Sequence, residues 1–259
     1  MVLAGAHRPF PWLTERPIAH RGLHNAEAGV IENTLAAATA AIERGFAIEC
    51  DVQLTSDGEA VVFHDFTLDR LTAGSGRVDG TRFEAVATLA MRGTGDRVPV
   101  FGALLAHIAG RVPLICEVKS RFDGDTRLAD RVWQTAAGYD GPLALKSFDP
   151  AVIAHLRAAA AASATKPRPL GVVAQARYDT EEWDLLPAPQ KLALSNFLHY
   201  RETRPDFLSY AVDDLPHAVP FLLRQAAGLP VMAWTVRTPD QRRRAAEEAD
   251  QIVFEGFVP

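Results

Sequence analysis

Short apolar runs, rich in β-branched residues, recur along this chain, and most are separated by alanine-rich stretches long enough for a helix. That alternation confines the chain to the α/β class, because strands that run parallel need a crossover of a dozen or more residues between them. The runs are Ile18–His20, Phe46–Leu54, Pro113–Lys119, Leu143–Ser147, Leu170–Ala174, Phe207–Val212, Val231–Val236 and Gln251–Phe254. They are about as many as a (β/α)8 TIM barrel needs. A length of 259 residues suits one such barrel, for which roughly 200–250 residues are usual.

Local signals place the helices. The stretch from Thr34 to Arg44 has Asn33 or Thr34 as a capping residue and Gly45 beyond its end. Helices are expected from Pro99 to Ala109, stopped by Gly110, and from Asp125 to Ala137, stopped by Gly138. Asp149-Pro150 and Thr238-Pro239 each pair a capping side chain with a proline suited to a first turn. A further helix ends at Ala227, before Gly228. The region from Tyr178 to Arg204, with Pro187 and Pro189, reads as irregular.

One run breaks the rhythm. Ala60–His64 follows Phe46–Leu54 after only Thr55-Ser56-Asp57-Gly58. So short a link makes a hairpin and no crossover. Ala60–His64 should therefore fold back antiparallel on the second strand, outside the barrel count. Residues from about 53 to 99, rich in Gly, Thr and charge, then read as an insertion after that strand within a single domain spanning 1–259. No tandem repeat, low-complexity tract or linker interrupts the rest.

Composition narrows the partners. With 27 basic against 32 acidic residues the net charge is −5, which provides no general attraction for nucleic acid or anionic lipid. Cys50 and Cys116 are too few for a disulfide framework and read as buried strand thiols. The opening MVLAGAHRPFPWLTERP is a poor signal peptide, and no apolar run reaches about 18 residues, so a cytoplasmic protein without a membrane span is expected. Exposed helix faces leave room for a homo-oligomer.

Polar residues gather at the C-terminal ends of the expected strands, where barrel enzymes carry their sites. Glu49 and Asp51 stand two apart on one strand and so share a face, as do Glu117 and Lys119 on the next. Neighbouring strands lie about 4.8 Å apart, so the three carboxylates can reach one point. Unpaired, they would repel and resist ionisation. A divalent cation resolves the repulsion, and hard oxygen donors suit Mg2+ or Ca2+. The alternative is a structural network in which Glu49 pairs with Lys119 or an arginine. His20 ends the first strand, and an antiparallel hairpin sets His64 across from Cys50, beside Glu49 and Asp51. Two imidazoles at one mouth suit proton transfer, since their ordinary pKa lies near 6.5.

The segments IAHRG at Ile18–Gly22, ENT at Glu32–Thr34, IECDVQLTSDG at Ile48–Gly58, VVFHD at Val61–Asp65, CEVK at Cys116–Lys119, SFD at Ser147–Asp149 and AWTV at Ala233–Val236 resemble, in order and spacing, the signatures of the glycerophosphodiester phosphodiesterase family, within the phospholipase C-like phosphodiesterase superfamily. The resemblance implies a barrel with an insertion after its second strand. It implies Glu49, Asp51 and Glu117 as metal ligands, His20 and His64 as an acid–base pair, and Arg21 and Lys119 facing the phosphate. Trp234 looks like a wall of the alcohol pocket, or a barrel-core aromatic. In such a mechanism His20 removes a proton from the glycerol 2-hydroxyl, that oxygen attacks phosphorus, His64 protonates the departing alcohol, and water opens the cyclic phosphate; direct attack by water is the other route.

The family's last strand commonly ends in T-D, where this chain has Phe254-Glu255. That departure touches substrate contacts more than the reaction. The region from Thr180 to Arg204 matches no signature and is expected to shape the leaving-group side of the pocket. Lysophospholipase D-like cleavage, another phosphodiester, or a barrel that binds without cleaving are the alternatives. Strand-end Lys119 and Lys146 also admit Schiff-base chemistry of the aldolase type.

Overall fold

The computed structural model describes residues 10–163 and 165–259. The start of the N-terminal segment read above, residues 1–9, lies outside them. In chain order the elements are β1 (Ile18–Ala19), α1 (Leu35–Glu43), β2 (Ala47–Leu54), β3 (Ala60–Val62), α2 (Phe83–Thr88), α3 (Phe101–Ile108), β4 (Leu114–Val118), α4 (Arg127–Ala136) and β5 (Leu143–Ser147). There follow α5 (Pro150–Ala162), β6 (Leu170–Ala174), α6 (Ala188–Ser195), α7 (Tyr200–Thr203), β7 (Phe207–Ala211), α8 (Ala218–Ala226), β8 (Val231–Val236), α9 (Pro239–Glu248) and β9 (Gln251–Phe254).

All strands but β3 form a closed parallel barrel. β1 completes it by pairing with both β2 and β9, with Ile18 opposite Ala47 on one side and Val253 on the other. β3 lies antiparallel on β2 with Val52 opposite Val62. Continuing that register sets His64 across from Cys50, as the short turn requires. Val62 also donates to the Pro99 carbonyl at 2.7 Å. That contact holds Pro99 out of α3, which begins two residues later than its sequence signal.

The expected caps are used. Thr34 accepts from Ala37 N, Asp149 from Ala151 N, and Thr238 and Gln241 make a reciprocal capping box on α9. The region expected to be irregular contains α6 and α7. Pro187 and Pro189 suggested a break, but they occupy the cap and first turn of α6, where a missing N–H leaves no bond unmade.

The barrel interior explains where the site lies. Ile18, Ala47, Ile115, Ala144, Phe207, Met232 and Val253, one from each of seven barrel strands, pack into one buried cluster, with Leu13 beneath. On β6 the equivalent place is Gly171; a Cβ there would meet the Phe207 ring at 2.3 Å, so that ring fills the space a side chain would take. Two residues further along the same strands, on the same inward face, stand His20, Glu49, Glu117, Lys146, Ser209, Trp234 and Glu255. One layer of the interior is therefore apolar, and the next, toward the strand C-termini, is polar.

The outward residues, including Ile48, Cys50, Val52, Leu114 and Cys116, join the larger core under the helices. Cys50 and Cys116 are free thiols opposite each other in register, buried as expected. Burial and the neighbouring Cys116 push the Cys50 thiol far above its ordinary range. Among the described residues no helix is long and apolar enough to cross a membrane.

Candidate active site

Glu49 and Asp51 on β2 and Glu117 on β4 are at most 5% exposed, and each offers an oxygen within 4.8 Å of the others. Asp51 and Glu117 are direct partners in the β2–β4 register. The structure thus brings together the three carboxylates expected from strand spacing. Three buried carboxylates with converging oxygens are a hard donor set, and their chemistry fits a divalent cation.

The protein also answers each of these charges itself. Lys119 Nζ lies 2.6 Å from Glu117 and 2.9 Å from Asp51. Lys146 Nζ lies 3.0 Å from Glu49 and 3.5 Å from Glu117. Glu49 accepts from Arg21 N at 3.1 Å, and Asp51 accepts from Asn33 Nδ2 at 3.0 Å, with Arg21 Nε 3.5 Å away. Glu49 therefore pairs with Lys146 and not with Lys119, because Lys146 stands in its own layer of the interior whereas Lys119 reaches the carboxylates from one step above.

Burial alone would push the Asp51 carboxyl up, but Lys119, with His64, Arg21 and His20, overrides it and holds the group well below its usual range. Glu117 is held down against burial by Lys119 and Lys146. Burial would lower both lysines, yet Asp51 and Glu117 raise Lys119, and Glu49 and Glu117 raise Lys146. Both amines are engaged in ion pairs with the acidic cluster, an arrangement unlike the unpaired amine that Schiff-base chemistry uses.

Each histidine rests on a carboxylate. His20 Nδ1 lies 2.5 Å from Glu255 Oε2, and Glu255 is held by Arg237 at 2.9 and 3.3 Å. His64 Nδ1 lies 2.8 Å from Asp65, which Arg70 clamps through both oxygens at 2.7 and 2.8 Å. Arg70 reaches on to Glu32, and Glu32 to Arg21. With Nδ1 engaged, Nε2 is the nitrogen each ring has left for another molecule. Glu255 and Asp65 are held far below the usual carboxylate range: burial opposes this, and the histidine and arginine contacts outweigh it.

Arg21 and Gly22 both take positive φ, 56° and 81°, to turn the chain sharply after His20. A Cβ on Gly22 would meet the Ala37 Cβ at 2.8 Å, so glycine is required there. His20, Arg21, Asp51, His64, Glu117, Lys119, Lys146 and Trp234 all line one cavity of about 840 Å3 at the strand C-termini.

The far wall of this cavity is aromatic. Trp234 meets Phe148 edge-on at 5.4 Å, Phe148 meets Trp183 at 5.1 Å, and Trp183 meets Phe122 at 6.0 Å. Thr180, Glu182, Trp183, Leu185 and Leu186 bring the region that matched no sequence signature to the same cavity. The sequence reading missed seven partners: Glu32, Asn33 as a donor to Asp51, Asp65, Arg70, Arg237, Lys146 as a counter-ion, and Glu255 as the support of His20. Asp65 stood in plain view beside His64. Glu255 had the right parity with Val253 on the last strand, but its reach to His20 depends on closure of the barrel.

Comparison with known proteins bears on the family and the fold. The family model described as "Glycerophosphoryl diester phosphodiesterase family" matches residues 20–250. The glycerophosphodiester phosphodiesterase of Caldanaerobacter subterraneus subsp. tengcongensis is 40% identical over 111 residues, 40% of this chain and 44% of that protein. Glycerophosphodiester phosphodiesterase 1 of Rattus norvegicus is 49% identical over 74 residues, 28% of this chain and 21% of that protein. The match thus spans less than half the length of these relatives. A phosphodiesterase of Oleispira antarctica, solved with the product sn-glycerol-3-phosphate, shares the fold with a TM-score of 0.75 at 21% identity over 93% of both chains. A putative glycerophosphoryl diester phosphodiesterase of Silicibacter pomeroyi superposes with a TM-score of 0.73 at 26% identity, covering 92% of this chain and 89% of that one.

Proposed function

Because the chain belongs to the glycerophosphoryl diester phosphodiesterase family, we propose that it hydrolyses glycerophosphodiesters to glycerol 3-phosphate and an alcohol. One observation carries this reading: two histidines, each backed by a carboxylate on Nδ1, line the same cavity as Asp51 and Glu117, whose oxygens converge with that of Glu49 behind them. The segment of about residues 53–99 is read as the insertion that supplies His64.

Glu49, Asp51 and Glu117 would hold a divalent cation, Mg2+ or Ca2+, which when bound supplies Lewis-acid stabilisation of the phosphoryl oxygens. His20, kept in one tautomer by Glu255, accepts the proton of the glycerol 2-hydroxyl at Nε2 as that oxygen attacks phosphorus. His64, kept in place by Asp65, donates from Nε2 to the departing alcohol oxygen. The roles reverse when water opens the cyclic phosphate, and direct attack by water uses the same pair. Arg21 and Lys119 face the charge that grows on the phosphoryl oxygens. Trp234 and Phe148 bound the space for the alcohol.

The test is release of glycerol 3-phosphate from glycerophosphocholine with Mg2+, with Ca2+ and with EDTA, repeated for His20→Ala and His64→Ala. Release that depends on metal and falls by about 100-fold or more in either variant is expected, in line with the usual weight of acid–base catalysis. No release by the intact protein with either ion would sink the reading. The cavity and its aromatic wall favour a second reading, a lysophospholipase D-like choice of diester. Hydrolysis of lysophosphatidylcholine in place of glycerophosphocholine would select it.

A further inference from the structure

The three acidic side chains at the centre are balanced charge for charge by the protein. Against Glu49, Asp51 and Glu117 stand Lys119, Lys146 and Arg21. The second partner of Arg21, Glu32, also pairs with Arg70, which it shares with Asp65. A divalent cation adds two positive charges to this balanced, buried cluster, where effective screening is weak. An anion must arrive with it, or a resident cation must turn away.

The three resident cations differ in what they can do. The side chains of Arg21 and Lys119 are 16% and 11% exposed at the cavity wall, within reach of an incoming phosphate. The Lys146 side chain borders the same cavity but is only 4% exposed, and its acceptors are Glu49 at 3.0 Å and Glu117 at 3.5 Å, two of the three carboxylates of the cluster. It is fixed on β5 in the same interior layer as these acids.

We propose that Lys146 is a fixed internal counter-ion that keeps the acidic triad's affinity for a divalent cation low until a phosphodiester or phosphomonoester anion binds, so that cation and anion bind as mutually dependent ligands. The proposal rests on the reading that Glu49, Asp51 and Glu117 hold the cation. Coupling of this kind is reciprocal: whatever factor the anion contributes to cation affinity, the cation contributes to anion affinity.

The experiment is calorimetric titration of the full chain with MgCl2, with and without saturating sn-glycerol 3-phosphate, for the unaltered protein, Lys146→Met and Lys146→Arg. The unaltered protein should bind Mg2+ roughly tenfold or more tightly when the anion is present, within the range usual for coupled sites. Lys146→Met should bind Mg2+ alone roughly tenfold or more tightly than the unaltered protein and lose most of the dependence on the anion. Lys146→Arg, which keeps the charge, should stay close to the unaltered protein. Equal Mg2+ affinity with and without the anion in the unaltered protein overturns the proposal. So does a Lys146→Met protein that binds Mg2+ no better than the unaltered one, because anion coupling would then come from direct contact with the ion alone. If Lys146→Met folds only when Mg2+ is present, the proposal is supported, since the ion then replaces the missing lysine charge. Absence of Mg2+ binding under every condition overturns the cation site itself, a failure distinct from intact binding that ignores Lys146.

Discussion

Replacing Glu255 with glutamine keeps the size of the side chain and removes its charge from His20. The two groups meet at 2.5 Å, and the Glu255 side chain is 24% exposed. Opposite charges centred about 4 Å apart attract by about 4 kcal/mol at an effective dielectric of about 20. Partial exposure and the competing Arg237 contact at 2.9 Å reduce this, and we take about half, or 2 kcal/mol, as lost. That energy matters only while His20 carries a proton, which in the proposed mechanism is during and after base action. The loss should therefore fall on kcat, by about 30-fold, with KM changed by less than about twofold. Glu255→Asp should recover part of the rate, and Arg237→Met should lose only a few-fold. The assay is initial-rate kinetics on glycerophosphocholine at saturating Mg2+, with folding checked by circular dichroism. A kcat within threefold of the original in a folded Glu255→Gln protein refutes the reasoning. A loss carried mainly by KM refutes it differently, by making Glu255 a substrate contact.

Other expectations follow from single contacts. Glu117→Gln should abolish turnover and the rise in melting temperature caused by Mg2+, read by scanning fluorimetry; an unchanged Mg2+ response would remove Glu117 from the cation site. Gly171→Ala should destabilise the protein by about 1–3 kcal/mol or more in urea unfolding, because the added methyl meets the Phe207 ring at 2.3 Å in a closed interior. Burial pushes the His199 imidazole down to about 4, so between its ordinary value near 6.5 and that level the unfolded chain binds a proton the folded chain refuses. Stability from this group is intact above about pH 6.5 and lost as pH falls, by about 2 kcal/mol at pH 5; His199→Leu should flatten that arm of the curve, and an unchanged slope would contradict the assignment.

Much of the barrel was legible because its signals are local. Period-two spacing put Glu49 with Asp51 and Glu117 with Lys119, and the length of the Thr55–Gly58 link alone made β3 antiparallel. What escaped depends on contacts between distant segments. Nothing near Lys146 in the chain says that it lies beside Glu49, because that follows from the stacking of β2, β4 and β5 in register. The helix α6 escaped for a different reason: Pro187 and Pro189 disfavour a helix interior but suit a cap and first turn, and the local sequence does not distinguish the two.

The way the barrel closes has a consequence for how the site comes into being. The support of His64 is close in sequence: Asp65 is its neighbour, Arg70 lies five residues from Asp65, and Glu32 lies 38 from Arg70. The support of His20 lies 235 residues away. Contacts at short separation form early and at small entropic cost, whereas one spanning nearly the whole chain waits until every intervening crossover is in place. The supports of His64 and His20 therefore form at different stages of folding. The brace on His20 exists only once β9 has docked against β1 and closed the barrel.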